Sequence, residues 1–370
     1  MQVVSPLHDA SPGPWDARLQ RSRSIEDVPD GLAGVQKLAS QGCWKAVAER
    51  TRSFSAAARE GDLTQAAWHT FALAKLRRYR DAETALNSLG DLESPKYMEE
   101  SPEGLISRVP FVLLSLRAQL PLLLGRGREG TRALQELLQY CQDKACAQHA
   151  PGESSAPEGT GPGAEVNGKA LWARRQESVI GTLVRHHIRC KEHVMAIKWL
   201  ARLLKRRPKD AELLSQMGYI QLTIGDSTAA AATFQQVVSL VAEGSLQPSQ
   251  AQKELMLRNQ GLLKFVEQDY IGALEGFEAI LKERPGDAVA CNNAAICQLY
   301  ACNLKSGLQQ LEHSLAEHPE TILKETVLLN LSSMYNLSSS AASTEAKRKL
   351  GAWASSFATD DVDLTCIRTA

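Results

Sequence analysis

Pro285 and Pro319 lie 34 residues apart, and the same interval separates Ala273 from Gly307, Phe277 from Leu311 and Gly261 from Ala295. An interval that carries small, bulky and proline positions in one order restricts the chain to copies of a two-helix unit. Such a unit cannot bury its apolar face alone and has to stack on its neighbours. Small residues belong where the two helices of a unit cross closely, and a bulky residue four positions later fills the gap to the next unit. Proline closes the second helix because it cannot continue the hydrogen-bond ladder.

The phase continues upstream. In RQESVIGTLVRHHIRCKEHVMAIKWLARLLKRRPKD the small position is Ala196, the bulky one Leu200 and the closing proline Pro208. In AELLSQMGYIQLTIGDSTAAAATFQQVVSL, Gly218 marks the first helix contact, Gly225 and Asp226 the turn, Ala230 the second contact and Phe234 the bulky position, with no closing proline. Gly218 and Gly261 are 43 residues apart instead of 34, and the nine extra residues are placed in VAEGSLQPSQ, between helices. This period and its occupants are those of the tetratricopeptide repeat (TPR). The expected fold class is therefore all-α, a TPR superhelix or α-solenoid of stacked helical hairpins.

Residues 1–30 are rich in Ser, Pro and Arg and read as a disordered tail, in which Ser22 and Ser24 belong to a solvated arm more readily than to a phosphorylation site. Residues 31–146 read as N-terminal, TPR-like hairpins. The first turns at Gly42 with Trp44 and Val47 inward, and the next places Ala82 and Leu86 at the small and bulky positions. DLESPKYMEESPEGL is a Pro- and acid-rich connector, and Pro121 is expected to kink or split the helix that follows it. Residues 147–168, built of Gly, Pro, Ser and Glu, form an expected disordered insert. Residues 169–320 hold the TPR array and 321–370 the C-terminal capping helices.

A formal net charge of zero gives no general attraction to nucleic acid or anionic lipid. The N-terminus has no basic flank followed by an apolar stretch, and no apolar run approaches the roughly 20 residues of a membrane span, so a soluble, cytosolic chain is expected. Its eight cysteines show no CxxC pair and read as small buried residues in a reducing compartment. Gly125, Gly127 and Gly130 match GxGxxG, but no strand and acidic partner follow as a dinucleotide site requires, and a repeat turn belongs at this point. His186, His187, Cys190 and His193 cluster on one helix end without a second ligand group, and His187 is in phase with the repeat's aromatic position. The basic groups at Arg77, Arg78 and Arg80 and from Lys205 to Lys209 suit helix ends. No catalytic triad, Walker loop or carboxylate pair stands out, so no enzyme activity, cofactor or metal is expected.

What remains is the inner face formed by the first helix of each unit. In the two best repeats its residues are Leu255, Arg258, Leu262, Phe265 and Val266, then Val289, Asn292, Ile296, Leu299 and Tyr300. The row is mostly apolar and forms the candidate partner-binding site; either the superhelix closes on its own terminal helix there, or a groove accepts a partner helix. A clamp for a peptide's terminal carboxylate is disfavoured, because Tyr219 and Leu262 stand where such a clamp places Asn.

The run Asn292-Asn293-Ala294-Ala295 with Leu299-Tyr300, and Leu329-Asn330-Leu331 with Met334-Tyr335, resemble the trafficking protein particle (TRAPP) complex subunit 12 family. GLAGVQKLASQGCWKAV, LRRYRDAETAL and VPFVLLSLRAQLPLLLG resemble its N-terminal helices in the same order, so the likeness runs from about Gly31 to Ala370. The resemblance implies a non-catalytic scaffold subunit of a TRAPP III-type vesicle-tethering complex in endoplasmic-reticulum-to-Golgi traffic. It implies contact with other subunits, 11 or 8 being expected, and indirectly with a Rab GTPase. It also implies a cytoplasmic location, peripheral to early secretory membranes (the intermediate compartment and Golgi). Animal members carry a long disordered N-terminal region that this sequence lacks, so a mitotic role is not carried over. The alternative is a free cytosolic TPR adaptor that binds a helical or extended peptide of an unrelated partner.

Overall fold

The computed structural model describes residues 15, 28–56, 63–101, 104–147, 168–244, 247–337 and 340–367. Ser22, Ser24, the rest of the expected tail before residue 28 apart from Trp15, and positions 148–167 of the expected insert lie outside them. The fold is all-α and of the tetratricopeptide-repeat class, with two four-residue strands as the exception among the described residues. The chain divides into two compact units, Val28–Ile224 and Gly225–Ala370, with Trp15 belonging to the second.

In the first unit, α1 (Gly31–Ser40) and α2 (Trp44–Ala56) bury Val35, Leu38, Trp44 and Val47, and α3 (Leu63–Lys75) and α4 (Tyr79–Ser88) bury Ala72, Ala82 and Leu86. The connector is not irregular throughout: β1 (Met98–Ser101) pairs antiparallel with β2 (Gly104–Ser107), Met98 opposite Ser107. The Tyr97 hydroxyl donates to the Leu89 carbonyl at 2.8 Å and ties this hairpin back to the end of α4. Pro121 neither splits nor breaks α5 (Phe111–Leu123), which ends two residues later. The hydrogen bond that a proline removes here falls in the last turn, where little of the helix remains to be disrupted.

The unit continues through α6 (Gly127–Ala147), α7 (Gly168–Arg189), α8 (His193–Arg206) and α9 (Ala211–Thr223). The helices on either side of the expected insert at 147–168 share one core, with Leu134 and Cys141 of α6 buried alongside Ile180 and Leu183 of α7. Gln176 donates to the Cys141 carbonyl at 3.1 Å, and the Tyr140 and Trp172 rings meet edge-on at 5.8 Å. The compact units part after Ile224.

The second unit contains α10 (Ser227–Gly244), α11 (Gln250–Val266), α12 (Tyr270–Glu283), α13 (Ala288–Tyr300), α14 (Leu304–Glu317), the short α15 (Pro319–Ile322), α16 (Glu325–Asn336) and α17 (Ser340–Phe357). Its small positions are required by contact distance. A β-carbon on Gly261 would sit 3.0 Å from the Phe277 ring, and one on Gly307 would sit 2.9 Å from the Ala295 carbonyl oxygen. The nine extra residues do not all lie between helices: Val241–Gly244 extend α10, and Ser249 opens α11 with a capping box to Gln252. Pro319 begins α15 as well as following α14, because its fixed φ suits the first turn of a helix.

One turn recurs in both units. Two residues past the end of a repeat's first helix the backbone enters the left-handed region, at Gly42, Arg77, Gly125 and Lys191 in the first unit and at Gly225, Gln268 and Cys302 in the second, with φ between 60° and 85°. After Gly42, Arg77, Gly125, Lys191, Gln268 and Cys302 the next amide reaches back five residues, as in Cys43 to the Leu38 carbonyl (2.9 Å), Glu192 to His187 (2.8 Å) and Asn303 to Gln298 (2.8 Å). This satisfies carbonyls that the helix end leaves unpaired. In the second unit the following helix is then capped by Asp269, bonded to the Gly272 amide at 2.9 Å, or by Asn303, bonded to Ser306 at 3.4 Å. Of the cysteines, Cys43, Cys141, Cys291 and Cys297 are buried as expected, whereas Cys146, Cys190 and Cys302 are exposed because they occupy outer helix faces or the turn itself.

Candidate partner-binding face

The glycine motif is explained by the recurring turn. LPLLL is helical, being part of α5, and Gly125 takes the left-handed position with φ 83°. Gly130 is fixed by close packing, since a β-carbon there would lie 2.8 Å from the Leu122 backbone nitrogen. The histidine cluster is divided among separate partners: His187 Nδ1 lies 2.6 Å from Glu192 Oε2, and His186 Nε2 lies 3.7 Å from Cys190 Sγ. Among the described residues no three His, Cys, Asp or Glu side chains are placed to hold a metal ion. The basic groups pair locally, Arg78 with Asp81 at 2.7 Å and Arg207 with Asp210 at 2.7 Å.

A polar cleft in the first unit, about 580 Å³ in volume, is lined by Lys45, Arg52, His69 and Arg78 together with Glu49 and Asp81. His69 is buried, with Nδ1 3.1 Å from both Thr51 Oγ1 and the Ala48 carbonyl. Burial depresses its pKa, with a smaller contribution from the nearby arginines, and favours the neutral ring. Burial also pushes the thiols of Cys141 and Cys297 up to about 11, so they are protonated at neutral pH and unsuited to nucleophilic chemistry. Among the described residues no helix is long and apolar enough to cross a membrane.

On α11 and α13 the row anticipated from sequence separates into three kinds of residue. Arg258 links α11 to the start of α13, and Asn292 links α13 to α16. Arg258 Nη2 donates to Asp287 Oδ2 at 3.0 Å, and Asp287 Oδ1 caps α13 at the Val289 and Ala290 amides. Asn292 accepts from Asn330 Nδ2 of α16 at 2.7 Å. Leu262 and Phe265 are half-buried against Ala273, Phe277 and Ile280, and Leu299 packs against the terminal helices. Leu255 and Ile296 are half-buried too. Only Val266, Val289 and Tyr300 present large apolar surface to solvent, at 43%, 50% and 56% exposure.

Two of these three kinds meet at the turn end of the repeats. The Phe265 ring lies 5.3 Å from Tyr300 and 5.4 Å from Tyr270, and the two tyrosine rings are 5.4 Å apart. Edge-on aromatic contacts of this kind hold an otherwise exposed ring in place. Val289, at the opposite end of α13, is not part of this group. Tyr270 was not anticipated; its signal was its position at the start of α12, directly after the turn. A second missed feature is a cleft between α10 and α11 of about 650 Å³, lined by Phe234, Val238, Met256, Leu257 and Leu263 with Lys253, Asn259 and Gln260 on its polar side. The longer spacing between Gly218 and Gly261 was the signal for it, since the extra residues fall between these two helices and in the end of α10.

No family model matches the chain. Over 305 residues it is 30% identical to trafficking protein particle complex subunit 12 of Mus musculus, covering 80% of this chain and 38% of the relative. Over 310 residues it is 31% identical to the Homo sapiens protein of the same name, covering 80% of this chain and 41% of the relative. The chain thus spans about two fifths of the length of these relatives. Among solved structures, a tetratricopeptide repeat protein from Parabacteroides merdae is similar at 12% identity, with 88% of this chain and 97% of that one covered and a TM-score of 0.44. The APC/C hetero-tetramer Cut9–Hcn1 is similar at 16% identity, with 82% and 55% covered and a TM-score of 0.36.

Proposed function

We propose that this chain, a tetratricopeptide-repeat protein like subunit 12 of the trafficking protein particle complex, is a non-catalytic scaffold subunit of a TRAPP III-type tethering assembly. The observation that carries this reading is a sequence likeness spread over 80% of the chain and so across both compact units. It acts in endoplasmic-reticulum-to-Golgi traffic, in the cytoplasm and peripheral to early secretory membranes. It binds other subunits, with 11 or 8 the expected neighbours, and touches the Rab GTPase only through them. The surface assigned to this contact is the row on α11 and α13, with Val266, Tyr300, Phe265 and Tyr270 forming its apolar centre and Val289 its far end. Exposed aromatic and aliphatic side chains on a rigid helical support suit a protein partner, since their burial supplies area and the links at Arg258 and Asn292 keep the helices in register.

Purification of the tagged chain under mild salt, with identification of co-eluting proteins, tests the reading. TRAPP subunits are the expected partners, and their absence overturns it. Tyr300→Asp combined with Val266→Asp is expected to reduce their recovery at least tenfold while leaving the thermal unfolding midpoint within a few degrees. The cleft between α10 and α11 favours a second reading, a free adaptor for a helical or extended peptide. That reading expects an unrelated partner in the same purification, sensitive to Val238→Asp.

A further inference from the structure

The polar cleft of the first unit has a floor formed by α3 and walls formed by α2 and α4, both of which pack on α3. Lys45 to Arg52 line one wall and Asp81 to Ser88 the other, so the cleft runs about 10 Å, the length of three extended residues. Leu73, Leu76 and Ala85 give it apolar ground beside His69. Its three cations, Lys45, Arg52 and Arg78, outnumber its two carboxylates, Glu49 and Asp81, by one. Arg78 uses one of its five N–H groups, at Nε, on Asp81 (2.7 Å), and its side chain is 59% exposed. The hydrogen bonds around His69 fix its tautomer. The Ala48 carbonyl, 3.1 Å from Nδ1, can only accept. The Thr51 hydroxyl, also 3.1 Å from Nδ1, gives its one proton to the Val47 carbonyl at 2.6 Å and so accepts from the ring too. Nδ1 therefore carries the hydrogen, and Nε2 is a bare acceptor that bonds to none of the described residues. Burial above all, with the charges of Arg78 and Arg52 set against the Ala48 bond, keeps a second proton off the ring at neutral pH.

We propose that this cleft binds a phosphate monoester, a phosphoserine or phosphothreonine of a partner protein, as a monoanion whose one O–H donates to His69 Nε2. The ligand has to bring two things at once, a negative charge for the cationic lining and a hydrogen for a nitrogen that lacks one. A carboxylate brings the charge without the hydrogen, and an alcohol the hydrogen without the charge. A monoprotonated phosphate monoester carries both, and its second ionisation, near pH 6, keeps that form within reach at neutral pH. Its other oxygens meet the N–H groups of Arg78, while Arg52 and Lys45 add attraction by charge, whatever else those two side chains bond. Glu49 and Asp81 repel the dianion more than the monoanion and so favour the same form. The length of the cleft and its apolar ground suit a peptide that carries the phosphate, because residues on either side of it lie between the helical walls. Binding above pH 6 takes up one proton, since the free ester is then mostly dianionic.

Fluorescence anisotropy of a labelled pentapeptide, phosphoserine flanked on each side by leucine and alanine, titrated with the full-length chain, tests this. Saturable binding is expected at pH 6.5, weakening by about fivefold to tenfold at pH 7.5 because one proton has to be supplied. The sulfoserine peptide, whose ester holds no proton in this range, and the glutamate peptide are each expected to bind about tenfold more weakly at pH 6.5. His69→Asn should remove the pH dependence. Arg78→Gln, at an exposed side chain, should weaken binding about fivefold and keep that dependence, so the assignment can still fail if the first variant does not fold. Equal binding of the phosphoserine and sulfoserine peptides, a pH dependence that survives His69→Asn, binding that Arg78→Gln leaves intact, or no binding at all would each overturn the assignment. Tighter binding to phosphatidylcholine vesicles that contain a phosphatidylinositol phosphate, lost in the same variants, would overturn the peptide in favour of a membrane surface.

Discussion

The two compact units solve the same packing problem with different degrees of regularity. In the second, from Gly261 onward, the small, bulky and turn positions keep a spacing of 34, and polar links join α11 to the start of α13, Arg258 to Asp287, and α13 to α16, Asn292 to Asn330. In the first, the left-handed turns fall at Gly42, Arg77, Gly125 and Lys191, unevenly spaced because a β-hairpin and the stretch around 147–168 intervene. Its helices are held by local aromatic and cationic contacts, such as Arg175 stacked 4.3 Å from the centre of Trp172 and 5.0 Å from that of Phe111. The difference teaches that a repeat unit is defined by its turn and its crossing point. A constant period appears only where the segments between units keep a constant length.

If the crossing is the shared element, overfilling it should damage both units alike. Gly307→Val places side-chain carbons against the Ala295 carbonyl and Met334, and Gly130→Val places them against the backbone of Leu122. Each is expected to destabilise its own unit by about 2–3 kcal/mol, as overpacking a tight contact does. Gly181→Val, whose β-carbon would meet nothing nearer than the Arg185 guanidinium at 3.6 Å, should change stability little. Urea unfolding with hydrogen exchange resolved by segment would show which unit opens. A tolerated Gly130→Val would mean that the first unit does not share the crossing.

Acidification should separate the units by sign. Burial holds His69 and His186 below the usual histidine value of 6.5, so the unfolded chain takes up the proton more readily than the folded one. Their contribution to the first unit is complete above that value and declines as pH falls below it. In the second unit burial holds Glu312 above its usual value of 4.5, so the folded state binds that proton more readily. Its contribution is complete below 4.5 and is lost as pH rises through the folded value. Between pH 7 and 4.5, His69→Asn should flatten the decline of the first unit, and Glu312→Gln should remove the gain of the second. Segment-resolved unfolding at the two pH values checks both, and a variant that leaves its unit's slope unchanged would remove that group from the account.

How far the molecule could be read from its sequence follows from the range of the interactions involved. Helices, caps and crossings are set by neighbours within one unit, so Ala196, Ala230, Ala273, Gly307 and the turn at Gly125 could be placed from spacing alone. The candidate face was legible in position but not in use. Arg258 and Asn292 are committed to Asp287 and Asn330, partners 29 and 38 residues away, and no local pattern announces such pairs. Tyr270 joins Phe265 and Tyr300 because a left-handed residue at Gln268 swings the next helix back, and a polar Gln gives no hint of that conformation.

The turn itself allows the smallest and most discriminating test. Glycine holds the left-handed position at Gly42, Gly125 and Gly225, whereas Arg77, Lys191, Gln268 and Cys302 hold it with a side chain attached, with φ between 60° and 67°. A β-carbon in this region crowds the following carbonyl and costs about 1 kcal/mol, partly offset because glycine adds freedom to the unfolded chain. Lys191→Gly and Gln268→Gly are therefore each expected to raise stability by roughly 0.5 kcal/mol. Gly125→Ala should lower it by about 1 kcal/mol although nothing lies within 4 Å of the added carbon. Thermal unfolding of the three variants checks the set. Equal gains at Lys191 and Gln268 would show that one backbone device ends the first helix of a repeat in both units. A gain confined to Gln268 would mean that the first unit reaches the same φ under constraints of its own.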